Sequence, residues 1–316
     1  MTVPPTLDPT TQTAPPPVTP RAPLNALAGN RAALVLLVVQ NVVGGLLPAV
    51  GVPIGWALAG SFVASAVVFA LFFRPQLTEL FASRRWRTPP APLVALGGLL
   101  LALVASRGVA LFLASVWPKS FQGVADLSTS GPGLWVLLLS AGLLVPLAEE
   151  VAFRGLLLRG YERVRTPLVA GILAALVFAG AHGFPGQALT ILPLAWVLIR
   201  AVQHSGSFWT GYAIHAGNNL LAVGLGSVLT GNRTLDSLAN SAEHVGFGTG
   251  FGGLMVGAAA LVAATLWLRP RDLPAQPVED GPVFSGSLVP ILVIVVLLVF
   301  AAVLAGLYPG MFKGLQ

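Results

Sequence analysis

The sequence predicts an all-α fold: a polytopic membrane helix bundle of about eight or nine transmembrane helices, with its N-terminus in the cytoplasm. Three observations predict it. Of 316 residues, 55% are hydrophobic and only 9% are charged, where a soluble domain carries about a quarter, and the mean hydropathy is +0.84. The apolar residues fall in runs of roughly 18 or more, enough to cross a hydrocarbon core about 30 Å thick. Those runs lack the period-2 alternation of an outer-membrane barrel. Lipid offers no partner to backbone N–H and C=O groups, so each run should be a helix rather than an open strand.

Residues 1–30 hold eight prolines and no apolar run. This reads as a disordered Pro/Thr-rich cytoplasmic tail rather than a signal peptide, which needs a continuous apolar stretch. Apolar spans follow near residues 32–50, 54–73, 91–117, 134–158, 168–182, 188–202, 208–229, 251–268 and 288–307. They divide the chain into N-terminal transmembrane helices (31–133), a helical core (134–230) and C-terminal transmembrane helices with a Pro/acidic linker (231–316). The Gly-rich stretch 246–253 lacks the Lys-Ser/Thr of a phosphate loop, so close helix packing or a turn is its expected use.

Charge placement orients the bundle. With the N-terminus inside, the inside segments hold Arg21, Arg31, Arg74, Arg84, Arg85, Arg87, Arg159, Arg163, Arg165, Arg200, Arg269 and Arg271, against only Lys119, Arg233 and Lys313 outside. That is a strong positive-inside asymmetry. It accounts for most of the net charge of +6 without any nucleic-acid partner, and it places a multi-pass protein in the cell membrane. With no cysteine in the chain, disulfides, thiolate zinc sites, iron–sulfur clusters and a cysteine nucleophile are excluded.

The ionisable residues left inside the spans are few. Glu149, Glu150 and Arg154 share one span, and Arg107 lies alone in another. A charge at mid-bilayer costs about 2.5–3.5 kcal/mol on insertion scales, so intramembrane acids mark a functional site by default. Arg154 follows Glu150 by four residues, so one helix face can pair them, which leaves Glu149 projecting elsewhere. His182 and His215 lie in or at the end of apolar spans, whereas His204 and His244 read as solvated loop residues. Asn219 is one turn beyond His215, and Phe178 one turn before His182. At 1.5 Å of rise per residue, Glu149, His182 and His215 all fall near the bilayer centre, about 15, 22 and 12 Å from the cytoplasmic edge. One polar cavity with Glu149, His182, His215 and Asn219 facing inward is feasible. Arg107 is expected to pack near that cavity and neutralise a glutamate, or to bind a substrate carboxylate.

These residues resemble the three motifs of the CPBP intramembrane proteases, the Abi-like family of CaaX prenyl endopeptidases and bacteriocin-processing proteins. E-E-x-x-x-R matches Glu149-Glu150-Val-Ala-Phe-Arg154, F-x-x-x-H matches Phe178-Ala-Gly-Ala-His182, and H-x-x-x-N matches His215-Ala-Gly-Asn-Asn219. The resemblance covers about residues 134–219 and implies a cavity opening to the cytoplasm. It implies an intramembrane endopeptidase that hydrolyses a peptide bond of a membrane-associated or lipidated protein or peptide. Glu149 would be the general base, His182 would position the water, and His215 with Asn219 would stabilise the oxyanion; Glu150, Arg154 and Phe178 would support them. The family is commonly described as metalloproteases, and His182 and His215 with a glutamate resemble a His₂Glu zinc set. A metal-free glutamate mechanism suits the same residues, and the soluble H-E-x-x-H motif is absent. A proton-coupled transporter using Glu149 and His182 as a relay, or a non-catalytic membrane immunity or scaffold protein, are the competing readings.

Overall fold

The computed structural model describes residues 23–121, 131–183, 185–229 and 245–271. These are helical throughout their main elements, with no strand among them. The chain runs α1 (Ala26–Ala49), α2 (Ile54–Phe72), α3 (Arg74–Ala82), α4 (Arg84–Arg87), α5 (Pro92–Val116) and a 3₁₀ turn (Pro118–Phe121). There follow α6 (Pro132–Glu162), α7 (Pro167–Gly180), α8 (Pro185–Ser205), α9 (Phe208–Leu229) and α10 (Phe247–Trp267). Six of these, α1, α2, α5, α6, α8 and α10, are long and apolar enough to cross a membrane. The shorter α7 and the more polar α9 complete the bundle. The span expected at 288–307 lies outside the described residues, as do Arg233, His244, Lys313 and most of the N-terminal tail.

Two edges differ from the sequence reading. α1 begins at Ala26, inside the segment read as tail, because the Asn25 side chain accepts from Ala28 N–H and caps the helix. Leu24 is fully buried beside it. Between α2 and α5 the arginine-rich loop is not plain coil: α3 and α4 form there and dock on the bundle. Glu79 accepts from Leu24 N–H and pairs with Arg163, Arg85 pairs with Glu162 at 2.6 Å, and Leu80 packs onto Gly155.

The segments assigned to the inside meet at one end. Ser207 Oγ donates to Thr88 O and Trp209 Nε1 to Trp86 O, while Arg271 N–H donates to Gln203 O. Trp86, Phe81, Phe208 and Trp209 cluster there, as aromatic side chains do at a membrane–water boundary. Lys119 and Gly186, which packs on Ser120, mark the other end. His204 is not a solvated loop residue: it lies within α8, buried, with Nδ1–H donated to Arg269 O. Arg107 does not reach the cavity. It sits on the exposed face of α5 with Leu96, Leu100, Val104 and Leu111, about 15 Å of helix rise from Trp117, so its long side chain can snorkel toward that end.

The Gly-rich stretch opens α10 and serves close packing. Gly250, Gly253 and Gly257 lie against α5, and a Cβ at Gly108 would fall 2.3 Å from Gly253 O and 2.8 Å from Gly257 Cα. Those are backbone atoms of a packed helix and cannot rotate away. Gly108→Ala is therefore expected to cost about 1–3 kcal/mol, the usual penalty of overpacking, and to lower the thermal midpoint. Gly252→Ala, with nothing within 4 Å, should leave the midpoint unchanged or raise it, since alanine is the better helix former.

Candidate active site

α6 supplies the acidic residues and is not a uniform helix. It widens into π turns at Ser140–Leu144 and Val151–Leu157, on either side of Val145–Glu150. The first has a local cause: Pro146 has no N–H and its ring crowds the preceding turn. Side chains of α9 satisfy carbonyls of that widened turn. Asn219 Nδ2 donates to Ala141 O at 3.1 Å and Tyr212 OH to Leu143 O at 3.4 Å. In a bilayer such freed carbonyls need exactly this kind of internal partner, so the turn docks α9 on α6. Single π turns are also frequent at functional sites.

His215 on α9 thereby comes between the two adjacent carboxylates of α6. Its Nδ1 lies 2.8 Å from Glu150 Oε1, and its Nε2 lies 3.7 Å from Glu149 Oε2. Glu150 is fully buried and also faces Arg154, whose Nη1 is 3.0 Å from the same Oε1. The Arg154 nitrogens have no aligned hydrogen-bond acceptor among the described residues, so this is a charge contact. The guanidinium is covered by the Phe178 ring, 4.1 Å from its centroid. A carboxylate only accepts, so His215 must carry its proton on Nδ1, and Glu150 fixes both tautomer and ring plane.

His182 follows the end of α7. Its Nδ1 lies 2.9 Å from Phe178 O; a carbonyl cannot donate, so Nδ1 holds the proton and the neutral ring presents the Nε2 lone pair. Phe178 packs edge-on against both imidazoles, at 5.1 Å from His182 and 5.6 Å from His215. Glu149 and His182 line one cavity of about 230 Å³. His215 reaches Glu149 from outside that lining, and Asn219 is turned to Ala141 O. Asn218 Nδ2 donates to the Asn219 Oδ1, which holds the amide with one N–H still uncommitted. The four expected residues are thus close-set, but Asn219 braces the helix pair rather than facing Glu149.

Sequence reasoning missed three features. Glu150 holds His215 as well as Arg154, a contact 65 residues apart that no local spacing reveals. Gly211, one turn before His215, makes room for it: a Cβ there would lie 3.2 Å from Glu150 Oε2 and 2.7 Å from Val202 Cγ2. Gln40 and Asn41 of α1 stand on the wall of the cavity. Beside it, a second and almost wholly apolar cavity of about 320 Å³ runs between α1, α2, Phe81, Trp86 and Leu147–Val151. No group of three His, Cys, Asp or Glu side chains among the described residues is disposed to hold a metal ion. The expected His₂Glu zinc set is not assembled among them.

The bundle gathers two carboxylates, an arginine and two imidazoles, with Glu150, Arg154 and His215 buried. Residues 131–221, which hold all of these groups, match the family described as type II CAAX prenyl endopeptidase Rce1-like. The match over this segment supports the CPBP/CaaX protease family, a family of intramembrane endopeptidases. No curated protein and no solved structure matches the chain.

Proposed function

We propose that the protein is an intramembrane endopeptidase that hydrolyses a peptide bond of a membrane-associated or lipidated protein or peptide, with Glu149 as general base. The observation that supports it best is the relay Glu149–His215–Glu150–Arg154, which leaves one carboxylate, Glu149, with no arginine or lysine at ion-pair distance among the described residues and on a cavity shared with His182. Glu149 takes a proton from water while the His182 Nε2 lone pair accepts the water's other hydrogen. The hydroxide forms the C–O bond at the scissile carbonyl. His215, when protonated on Nε2, donates to the resulting oxyanion, Glu150 balances the charge on the ring, and Asn219 braces the helix that carries His215. Collapse breaks the C–N bond as Glu149 returns the proton to the leaving nitrogen, giving an amine and a carboxylic acid.

The adjoining apolar cavity supports a substrate that brings a hydrocarbon chain, since its wall offers almost no polar atom. The basic end, by the positive-inside rule, faces the cytoplasm. The test compares protein N-termini in membranes of cells carrying wild type or Glu149→Ala. A defined set of internal termini should disappear with the variant; an unchanged set would overturn the protease reading in favour of a transporter or scaffold.

A further inference from the structure

The cavity that holds Glu149 and His182 has a polar wall from helices outside the matched segment 131–221. Gln40 and Asn41 of α1 and Ser61 of α2 line it, together with apolar residues such as Leu37, Leu58 and Val145. Two of the three polar groups are committed locally. Asn41 Nδ2 donates to Leu37 O at 2.9 Å and Ser61 Oγ donates to Leu58 O at 2.8 Å. Gln40 differs: its Nε2 is buried and has no hydrogen-bond partner among the described residues. A buried, unmatched amide costs free energy, and more so where lipid surrounds the protein.

The inventory of the lining is informative. Glu149 accepts only. His182 has its N–H engaged on Phe178 O and turns an acceptor to the cavity. With Ser61 engaged and one Asn41 N–H donated to Leu37 O, Gln40 is the lining amide with neither N–H committed among the described residues. It lies about 21 Å of helix rise from Ala26, and Glu149 about 20 Å from Glu162, so the two stand at similar depth. A peptide unit offers one N–H and one C=O. A transmembrane segment must unwind before it can be cut, and each carbonyl so freed needs a donor that lipid does not provide.

We propose that Gln40 Nε2 donates a hydrogen bond to a backbone carbonyl of the bound substrate, next to the peptide bond presented to Glu149. Gln40 is then a substrate-binding residue contributed by α1, and it acts on binding rather than on the chemical step. The inference rests on the protease reading above, and the test separates the two.

The experiment uses the full chain in bicelles and a peptide spanning a site whose cleavage is lost with Glu149→Ala. Gln40→Met keeps the side-chain size and removes the donor. It is expected to raise KM about tenfold, the change that goes with one hydrogen bond of ordinary net strength, with kcat unchanged and the thermal midpoint unchanged or higher. An unchanged KM would overturn the assignment, as would a fall in kcat at constant KM, which would make Gln40 an oxyanion donor. A lowered midpoint with parallel loss of all activity would make it a packing residue. If Glu149→Ala changes no termini, the protease reading itself fails and the role of Gln40 falls with it.

Discussion

Glu149→Gln is expected to reduce peptide-bond cleavage by about 10²–10⁴-fold, the range for loss of a positioned general base, while leaving the thermal midpoint equal to or above that of wild type. The two halves of this result have separate causes. The amide has the size of the carboxylate but cannot take a proton from water, so the chemical step loses its base and substrate binding is spared. Among the described residues Glu149 makes no ion pair with an arginine; His215 Nε2 lies 3.7 Å away, and the Glu149 side chain is only 13% exposed. Holding an unneutralised carboxylate there costs free energy that a neutral amide does not, and functional sites characteristically gain stability when such a group is removed. The measurement is kcat and KM on the substrate peptide together with a thermal melt of purified protein. A midpoint that falls in step with activity would show that Glu149 holds the bundle together and would remove it from the chemistry.

Much of the fold was legible because each transmembrane helix must satisfy its own backbone and span a fixed thickness. Span edges could therefore be placed within a few residues, and α9 ends where its apolar run ends, at Leu229. Charge parity was legible for a related reason: most arginines fall on one side, and their described loops do meet at one end. The Glu150–Arg154 pair was readable because it is local. The features that escaped notice all depend on tertiary approach or on a departure from 3.6-residue periodicity. The π turns of α6 change which residues share a face along it, and between them Glu149 and Glu150 both approach a single imidazole. Asn219 looked like a partner of His215 on one helix face, yet the widened turn at Ala141 claims its amide. α3 and α4 carry too few apolar residues to register as spans, although Leu80 and Arg85 dock them firmly. Gln40 stood unnoticed because one glutamine in an apolar helix has no spacing to betray it.

Removing either member of the Glu150–Arg154 pair is expected to destabilise the protein by about 3–5 kcal/mol, the largest stability effect of any substitution discussed, because each change strands the opposite charge in the interior. Glu150 is 0% and Arg154 1% exposed, so neither can turn to water. Arg154→Leu would leave the Glu150 carboxylate with His215 Nδ1 alone. Glu150→Leu would leave the guanidinium against the Phe178 face without the carboxylate that pairs with it. The double variant Glu150→Leu/Arg154→Leu removes both charges at once and should recover most of the loss, since buried pairs replaced by apolar groups of similar volume are often neutral in stability. Recovery of the fold should not bring back cleavage. With Glu150 gone, nothing fixes the proton on His215 Nδ1 or holds the ring between Glu149 and its former neighbour, and loss of such an orienting carboxylate typically costs one to two orders of magnitude or more in activity. Denaturation midpoints of the two single variants and the double, read beside their cleavage rates, form the test. Non-additive stability with activity lost in every variant containing Glu150→Leu is the expected pattern. A double variant as unstable as the sum of the singles would mean the pair holds the fold through contacts other than its charges.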